Sequence, residues 1–193
     1  MECSISGVIL AGGASRRFGG ITKSNIVISG ERIISRIINN INDLFDEIII
    51  VTNTPSEFLD LTTCKIVGDQ YLNAGPLGGI HAALKSSKND AIFVFAGDMP
   101  FIKKEIIAEQ INQFSIMEYD ILIPLIGGFI EPLHSIYRIT ILSDLERFLI
   151  GGDRSVRDFI RLMNFGYLEI VESEENKRAF TNINTQSDIS QSI

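Results

Sequence analysis

Gly7-Val-Ile-Leu-Ala-Gly-Gly-Ala-Ser-Arg-Arg-Phe-Gly-Gly-Ile-Thr-Lys23 is the stretch from which the rest of the chain can be read. An apolar run, Ile5 to Leu10, meets a loop that holds four glycines, two adjacent arginines and a lysine. A strand ending in glycines brings bare backbone N–H groups close to an anion, because no Cβ blocks the approach. Arg16, Arg17 and Lys23 add positive charge where phosphates would lie. The plainer alternative is a glycine-rich turn with solvated basic side chains.

Two familiar phosphate loops do not match. A P-loop has its lysine directly after a glycine and then Ser or Thr. Here Ile21 and Thr22 separate Gly20 from Lys23. The dinucleotide pattern G-x-G-x-x-G fails as well, because Gly12 and Gly13 are adjacent and the next glycine is Gly19.

Beyond Lys23 the chain alternates short apolar runs with helical periodicity. Asn25 to Ser29 alternates apolar and polar residues and turns at Gly30. Ile33, Ile34, Ile37, Ile38, Ile41, Leu44 and Phe45 recur at helical spacing, which predicts an amphipathic helix over 31–45. Strands are expected at 48–51, 65–67, 91–96 and 120–124, and Ile48 to Val51 is wholly apolar and β-branched as a central parallel strand is. Helices are expected at 55–61, 80–86 and 103–114. Together these make an α/β domain with a doubly wound, mostly parallel sheet. After Gly128 the pattern is less regular: a strand at 131–137, helices at 139–150 and 155–163, a strand at 167–171, and 180–185 leading to a C-terminal helix. The whole of 1–193 reads as a single domain, a regular part at 1–125 followed by an elaboration at 126–193.

Composition narrows the classes. The net charge of −7 disfavours a nucleic-acid or anionic-membrane surface, though local donors can still hold a nucleotide's phosphates. No apolar run reaches the ~18 residues of a membrane span. Cys3 and Cys64 belong to no C-x-x-C pair and fit a reducing compartment, and Met1 to Ser4 has no secretory character, so a cytoplasmic protein is expected.

In open sheets ligands bind beyond the carboxyl ends of the strands, so the glycine loop, Asp69 and Asp98 should share one edge. Asp98, at a strand end before Pro100, suits an Mg²⁺ ligand, since Mg²⁺ takes one or two carboxylates and leaves the rest to water and phosphates. Its alternative is an N-cap for the helix that follows. Asp69 can accept from a base or ribose, assist the metal, or simply shape a turn. Arg154, Arg157 and Arg161 are spaced so as to share one side of a helix, either a solvated face or a phosphate clamp. His134 reads as a structural histidine, there being no zinc constellation. Asn182 and Asn184 share one face of an extended segment, where they can read a heterocycle edge or cap a helix.

Taken together, these segments resemble a known family. Leu10-Ala-Gly-Gly-Ala-Ser-Arg-Arg-Phe-Gly19 with Lys23 beyond it resembles the opening motif of nucleotidylyltransferases, L-A-G-G-x-S-x-R-M/F-G with a downstream lysine. Gly97-Asp-Met-Pro-Phe-Ile102 is similar to the motif C/G-D-x-P-F/Y-I, and Gly75-Pro-Leu-Gly-Gly79 to G-P-L-x-G. Pro132-Leu-His-Ser-Ile-Tyr137, Gly151 to Arg157 and Phe180-Thr-Asn-Ile-Asn-Thr185 resemble later segments of the same family, the molybdenum cofactor guanylyltransferases (MobA).

The resemblance implies a Rossmann-like nucleotidylyltransferase fold of the glycosyltransferase-A kind. It also implies transfer of GMP from GTP to molybdopterin with release of pyrophosphate, aided by Mg²⁺ or alternatively Mn²⁺. Lys23 and Asp98 would be catalytic, with Asp98 holding the metal. Leu10, Ala11, Gly12, Gly13, Lys23, Asp69 and Asp98 would bind the nucleotide, and Arg154, Arg157, Asn182 and Asn184 the acceptor. Partners would be GTP, molybdopterin, other cofactor-biosynthesis proteins and recipient molybdoenzymes, with no nucleic acid or membrane.

The rivals are a cytidylyltransferase, whose loop is similar to L-A-A-G where this chain has Gly12, a sugar-phosphate nucleotidylyltransferase, and a non-catalytic regulator, which should have lost Lys23 or Asp98. One departure stands out. Some relatives place an Asn contact where this chain has Val51, and Asn53 lies two residues on.

Overall fold

The computed structural model describes residues 3–12, 22–184 and 188. Gly13, Arg16 and Arg17, and the helix expected after 185, lie outside the described residues. The sheet is built on β1 (Ile5–Leu10), which is flanked on both sides by parallel neighbours, β4 (Ile48–Val51) and β6 (Ala91–Ala96). Beyond β4 lies β5 (Lys65–Val67), also parallel. On the other side come β9 (His134–Arg138), β7 (Ile121–Ile126) and β10 (Phe165–Glu169), giving the order β10-β7-β9-β6-β1-β4-β5.

The sheet is mainly parallel, as expected, but β9 runs antiparallel to both β6 and β7. The cause is a tight hairpin after β7. Gly127-Gly128 turns the chain into β8 (Phe129–Ile130), and it then returns as β9 without a crossover helix. Apolar alternation looks alike in parallel and antiparallel strands, so this reversal was not legible. The β7–β10 pair is parallel again.

Helices cover both faces and divide the core in two. One layer packs α1 (Ile33–Ile41) and α3 (Lys104–Ile116) on Ile9, Phe93, Phe95 and Leu122. The other packs α2 (Pro76–Ser86), α4 (Leu142–Ile150) and α5 (Val156–Arg161) on Val8, Ile49, Val94 and Tyr137. Ile92, Phe93, Val94 and Phe95 are all fully buried, which explains why β6 reads as one unbroken apolar run. A last helix, α6 (Glu174–Ala179), precedes the 181–184 segment. No helix of the described residues is long and apolar enough to cross a membrane.

Several boundaries differ from expectation, each for a local reason. The helix expected over 31–45 is only nine residues long, because Glu31–Arg32 (β3) pairs with Val27–Ile28 (β2). Ser29 and Gly30, at φ 51° and 84°, supply the two positive values that a tight hairpin turn needs. The helix expected at 80–86 begins four residues earlier, at Pro76, whose missing N–H and fixed φ suit a first helical position. The strand expected at 131–137 starts at His134, since Pro132 has no N–H and the Glu131 side chain accepts from Leu133 N at 3.2 Å, forming a turn. The strand expected at 167–171 lies two residues earlier, at Phe165–Glu169, with Gly166 and Leu168 inward. The helix expected at 155–163 is Val156–Arg161, capped by the Ser155 side chain.

His134 is structural. It is fully buried between the rings of Phe93, Phe95 and Phe180, at 5.2, 5.5 and 5.0 Å. Gln110 Nε2 donates to the His134 carbonyl, which turns Gln110 Oε1 toward Nδ1 at 3.0 Å and assigns the ring proton to that nitrogen. Burial lowers the imidazole pKa from 6.5 to about 4. An unfolded histidine takes its proton below pH 6.5, whereas the folded one refuses it until about pH 4. The contribution is therefore complete above pH 6.5 and is lost as pH falls to about 4, a total of roughly 3 kcal/mol. Denaturant titrations of wild type and His134→Gln should give curves whose separation narrows across this window. Parallel curves from pH 7 to pH 4 would contradict the assignment.

Candidate active site

Three strand ends meet where β1, β4 and β6 finish side by side, with Leu10 beside Val51 and Ala96 in register. A cleft of about 400 Å³ opens there, lined among others by Leu10, Ala11, Gly12, Lys23, Asn53, Asp69, Gly79 and Asp98. The glycine loop, Asp69 and Asp98 thus share one edge, as the connectivity argument requires.

Lys23 sits on a single 3-10 turn, Lys23–Asn25. Glu57 pins that turn, its Oε2 accepting from Thr22 N at 3.3 Å and from Asn25 Nδ2 at 3.0 Å. The Thr22 side chain contributes most to drawing the Glu57 carboxyl below its ordinary range, with the Asn25 and Thr22 N bonds adding to it against the effect of burial. Glu57 was not singled out from sequence, since a lone acidic residue beside Pro55 carries no pattern. The turn directs the Lys23 ammonium to Asp98 Oδ2 at 3.1 Å and to Asn184 Oδ1.

Asp98 does not cap a helix. The next helix begins at Lys104, with Lys103 in the cap position, so that alternative falls away. Its carboxylate already takes a cation, the lysine, on the cleft side. No group of three or more acidic, His or Cys residues could hold a metal alone among the described residues. One carboxylate facing a cleft fits a hard divalent ion whose other positions are filled by water and phosphate oxygens.

The geometry in front of Asp98 depends on Gly97. A Cβ there would stand 2.7 Å from the Leu10 carbonyl oxygen and 3.2 Å from Ala11 Cα, both backbone atoms. Gly97 N donates to that same carbonyl at 3.1 Å, and Ala11 N donates to Val51 O at 2.9 Å. The Ala11 N–H is therefore taken, so within Leu10 to Gly12 the opening toward an anion lies at Gly12, where a Cβ would meet none of the described residues within 4 Å.

Asp69 is half-buried at the far end of the cleft, and burial pushes its carboxyl above the usual range. The Asn53 bond and the charge of His81 oppose that rise. Gly78 and Gly79 lie beneath it. A Cβ on Gly78 would meet Tyr71 O at 2.8 Å, and one on Gly79 would meet Leu10 Cδ2 at 3.0 Å. These glycines let α2 pack under Asp69 and Leu10.

The acceptor-side residues are more dispersed. Arg154 donates to the Leu149 and Asp153 carbonyls at 2.9 and 2.8 Å, closing the end of α4, and Arg161 pairs with Asp158 at 2.7 Å. Neither they nor Arg157 line the cleft. Arg157 acts instead on Glu131, whose carboxyl is raised chiefly by burial and further by Asp98, with Arg157 opposing. Asn182 and Asn184 are exposed on either side of buried Ile183, whose N–H donates to Asp98 O at 2.8 Å. Asn184 is thereby brought beside Lys23 and Asp98.

A mainly parallel α/β sheet with a lysine, a strand-end aspartate and a glycine loop at one cleft defines a nucleotidyltransferase. The chain belongs to the family of MobA-like NTP transferase domains, matching it over residues 7–170. It is 37% identical over 199 residues to the protein named "Probable molybdenum cofactor guanylyltransferase" of Natranaerobius thermophilus, covering 99% of this chain and 96% of that one. It is 31% identical to the molybdenum cofactor guanylyltransferase of Desulfosudis oleivorans, covering 96% and 93%. Its fold matches the crystal structure of molybdopterin-guanine dinucleotide biosynthesis protein A from Archaeoglobus fulgidus with a TM-score of 0.81, at 25% identity over 97% and 96% of the two chains.

Proposed function

We infer that the protein transfers GMP from GTP to molybdopterin, releasing pyrophosphate and leaving a molybdopterin guanine dinucleotide. The observation that carries this reading is the cleft itself, with Lys23 and Asp98 at one end and Asp69 at the other. In the reaction an oxygen of the acceptor's terminal phosphate forms a bond to the α-phosphorus, and the bond from that phosphorus to the bridging oxygen of pyrophosphate breaks.

No side-chain nucleophile is needed, so catalysis rests on placing and neutralising phosphates. Lys23 would hold the triphosphate, with the loop from Gly12 and Gly13 onward supplying backbone donors. Asp98 would hold Mg²⁺ or Mn²⁺, which when bound neutralises charge on the phosphate oxygens. Asn184 Oδ1 also accepts from the Lys23 ammonium and helps to orient it. On the acceptor side Arg157, Arg154 and Asn182 offer donors to a phosphorylated pterin. Cytoplasmic location and exchange with other cofactor-biosynthesis proteins and recipient molybdoenzymes complete the proposal.

The test is pyrophosphate release on molybdopterin-loaded protein supplied with GTP, CTP or ATP. GTP alone should support turnover, and CTP should not displace a labelled GTP analogue. Equal displacement by CTP would overturn the reading in favour of cytidylyl transfer.

A further inference from the structure

Lys23 reaches Asp98 from a turn, Lys23–Asn25, that depends on attachments outside itself. Its own backbone bonds are few: Asn25 N donates to Thr22 O at 2.9 Å and Ile26 N to Lys23 O at 3.0 Å. Downstream it is tied to α1, because Ile33 N donates to Ile26 O at 2.9 Å. Upstream, where the chain returns from the glycine loop, Thr22 N donates to Glu57 Oε2 at 3.3 Å. A single 3-10 turn is weakly held by its own bonds, so these attachments set where the lysine stem starts.

Glu57 stands on a firm base. It belongs to the 3-10 turn Pro55–Phe58, which Phe58 anchors with a fully buried ring. Thr52 N donates to Val67 O at 2.9 Å and ties the start of this segment to β5. Thr54 N donates to Thr52 Oγ1 at 3.1 Å, and the Thr54 hydroxyl lies 3.3 Å from that of Thr22. Arg32 fixes the other partner. Its Nη1 lies 3.4 Å from Asn25 Oδ1, and a guanidinium can only donate, so Asn25 Nδ2 must face Glu57, at 3.0 Å. Arg32 is held in turn by Asp60. One oxygen of Glu57 thus gathers the residue before Lys23 and the residue that closes its turn, while Glu57 itself does not line the cleft.

We propose that Glu57 is a positioning residue for phosphate binding: it fixes the turn that aims Lys23 into the cleft, and it acts on a bound triphosphate only through that lysine. This rests on the reading that a nucleoside triphosphate lies in the cleft with its phosphates at Lys23. A carboxylate touching those phosphates would repel them. Here its oxygen is occupied by donors behind the turn, and the ammonium is what faces the anion. A lysine gains most from such support, because its flexible four-carbon stem carries any slack in the backbone out to the charged tip. Without Glu57, Thr22 N loses its acceptor and the turn is free to shift toward water.

The experiment measures Mg²⁺-dependent binding of inorganic tripolyphosphate and of GTP to the full chain. Glu57→Ala should weaken both by the same factor, at least about tenfold, since the base end is untouched. Glu57→Gln keeps a side-chain oxygen for Thr22 N and Asn25 Nδ2 and should recover binding to within about threefold of wild type. Asn25→Asp keeps the oxygen that faces Arg32 but sets a carboxylate against Glu57, and should weaken tripolyphosphate at least about fivefold; it serves as the second probe if Glu57→Ala does not fold. The deciding measurement is the double variant. In a Lys23→Ala background, Glu57→Ala should change tripolyphosphate binding less than about twofold further, because its only route to the phosphates is already gone.

A full additional loss in that background would show general loosening of the site and overturn the proposal. So would unchanged tripolyphosphate binding in Glu57→Ala or, where that variant does not fold, in Asn25→Asp. If Lys23→Ala itself left tripolyphosphate binding unchanged, the placement of phosphates at Lys23 would fail, and the proposal with it. Failure of the guanylyl reading is separate, since it shows as CTP matching GTP with the tripolyphosphate results intact.

Discussion

Asp98→Asn should leave the fold intact and abolish nearly all nucleotidyl transfer. The amide keeps the size of the side chain, and the Asp98 carbonyl can still accept from Ile183 N. What disappears is the full negative charge that faces the Lys23 ammonium and, in the proposed reaction, the divalent ion. Metal-assisted neutralisation of a phosphoryl transition state is worth several kcal/mol, so turnover should fall at least about a hundredfold. Lys23 would be left with Asn184 Oδ1 and a neutral amide, which holds it less firmly. The measurements are pyrophosphate release and thermal unfolding. Turnover above about a tenth of wild type, a loss under ~1.4 kcal/mol, would remove Asp98 from the metal role.

Gly97→Ala should be nearly as severe, for a different reason. The added methyl would collide with the Leu10 carbonyl and Ala11 Cα, and neither is the end of a flexible side chain that could swing aside. The ends of β1 and β6 must separate, straining the bond from Gly97 N to Leu10 O. Overpacking of this kind costs about 1–3 kcal/mol of stability. The catalytic cost should be larger, because Asp98 follows directly and Leu10 and Ala11, which lead into the glycine loop, lie across the same gap. A displacement near 1 Å at such a site can cost about a hundredfold. Thermal unfolding and GTP turnover together check this, and wild-type turnover in the variant would mean that the strand ends can part without disturbing the site.

Both effects concern a site whose components were largely legible beforehand. Lys23, Asp69 and Asp98 each follow a strand or its loop, and connectivity alone placed them on one edge. The helix cap offered as an alternative for Asp98 failed only when the first residue of α3 was known. Glu57 was invisible because its role depends on Thr22 and Asn25, more than thirty positions away in the chain. The arginine spacing predicted one shared helical face, but only Arg157 and Arg161 lie on α5; Arg154 precedes its Ser155 cap and commits its Nη1 group to the end of α4.

The amino-acid sequence by itself determined the α/β class, the buried strands and the glycine-loop edge. These follow from residue-by-residue chemistry: β-branched runs, helical periodicity, and glycines at strand ends. Tertiary structure decided the direction of β9, because a two-glycine hairpin can replace a crossover without altering the apolar pattern. It also decided the clamp of Asn53 on Asp69 and the placement of Asn184 beside Lys23. Those contacts join residues 16 and 161 positions apart. No local propensity encodes such pairs; they exist only once the sheet has aligned its strand ends and the C-terminal segment has bonded to the Asp98 backbone.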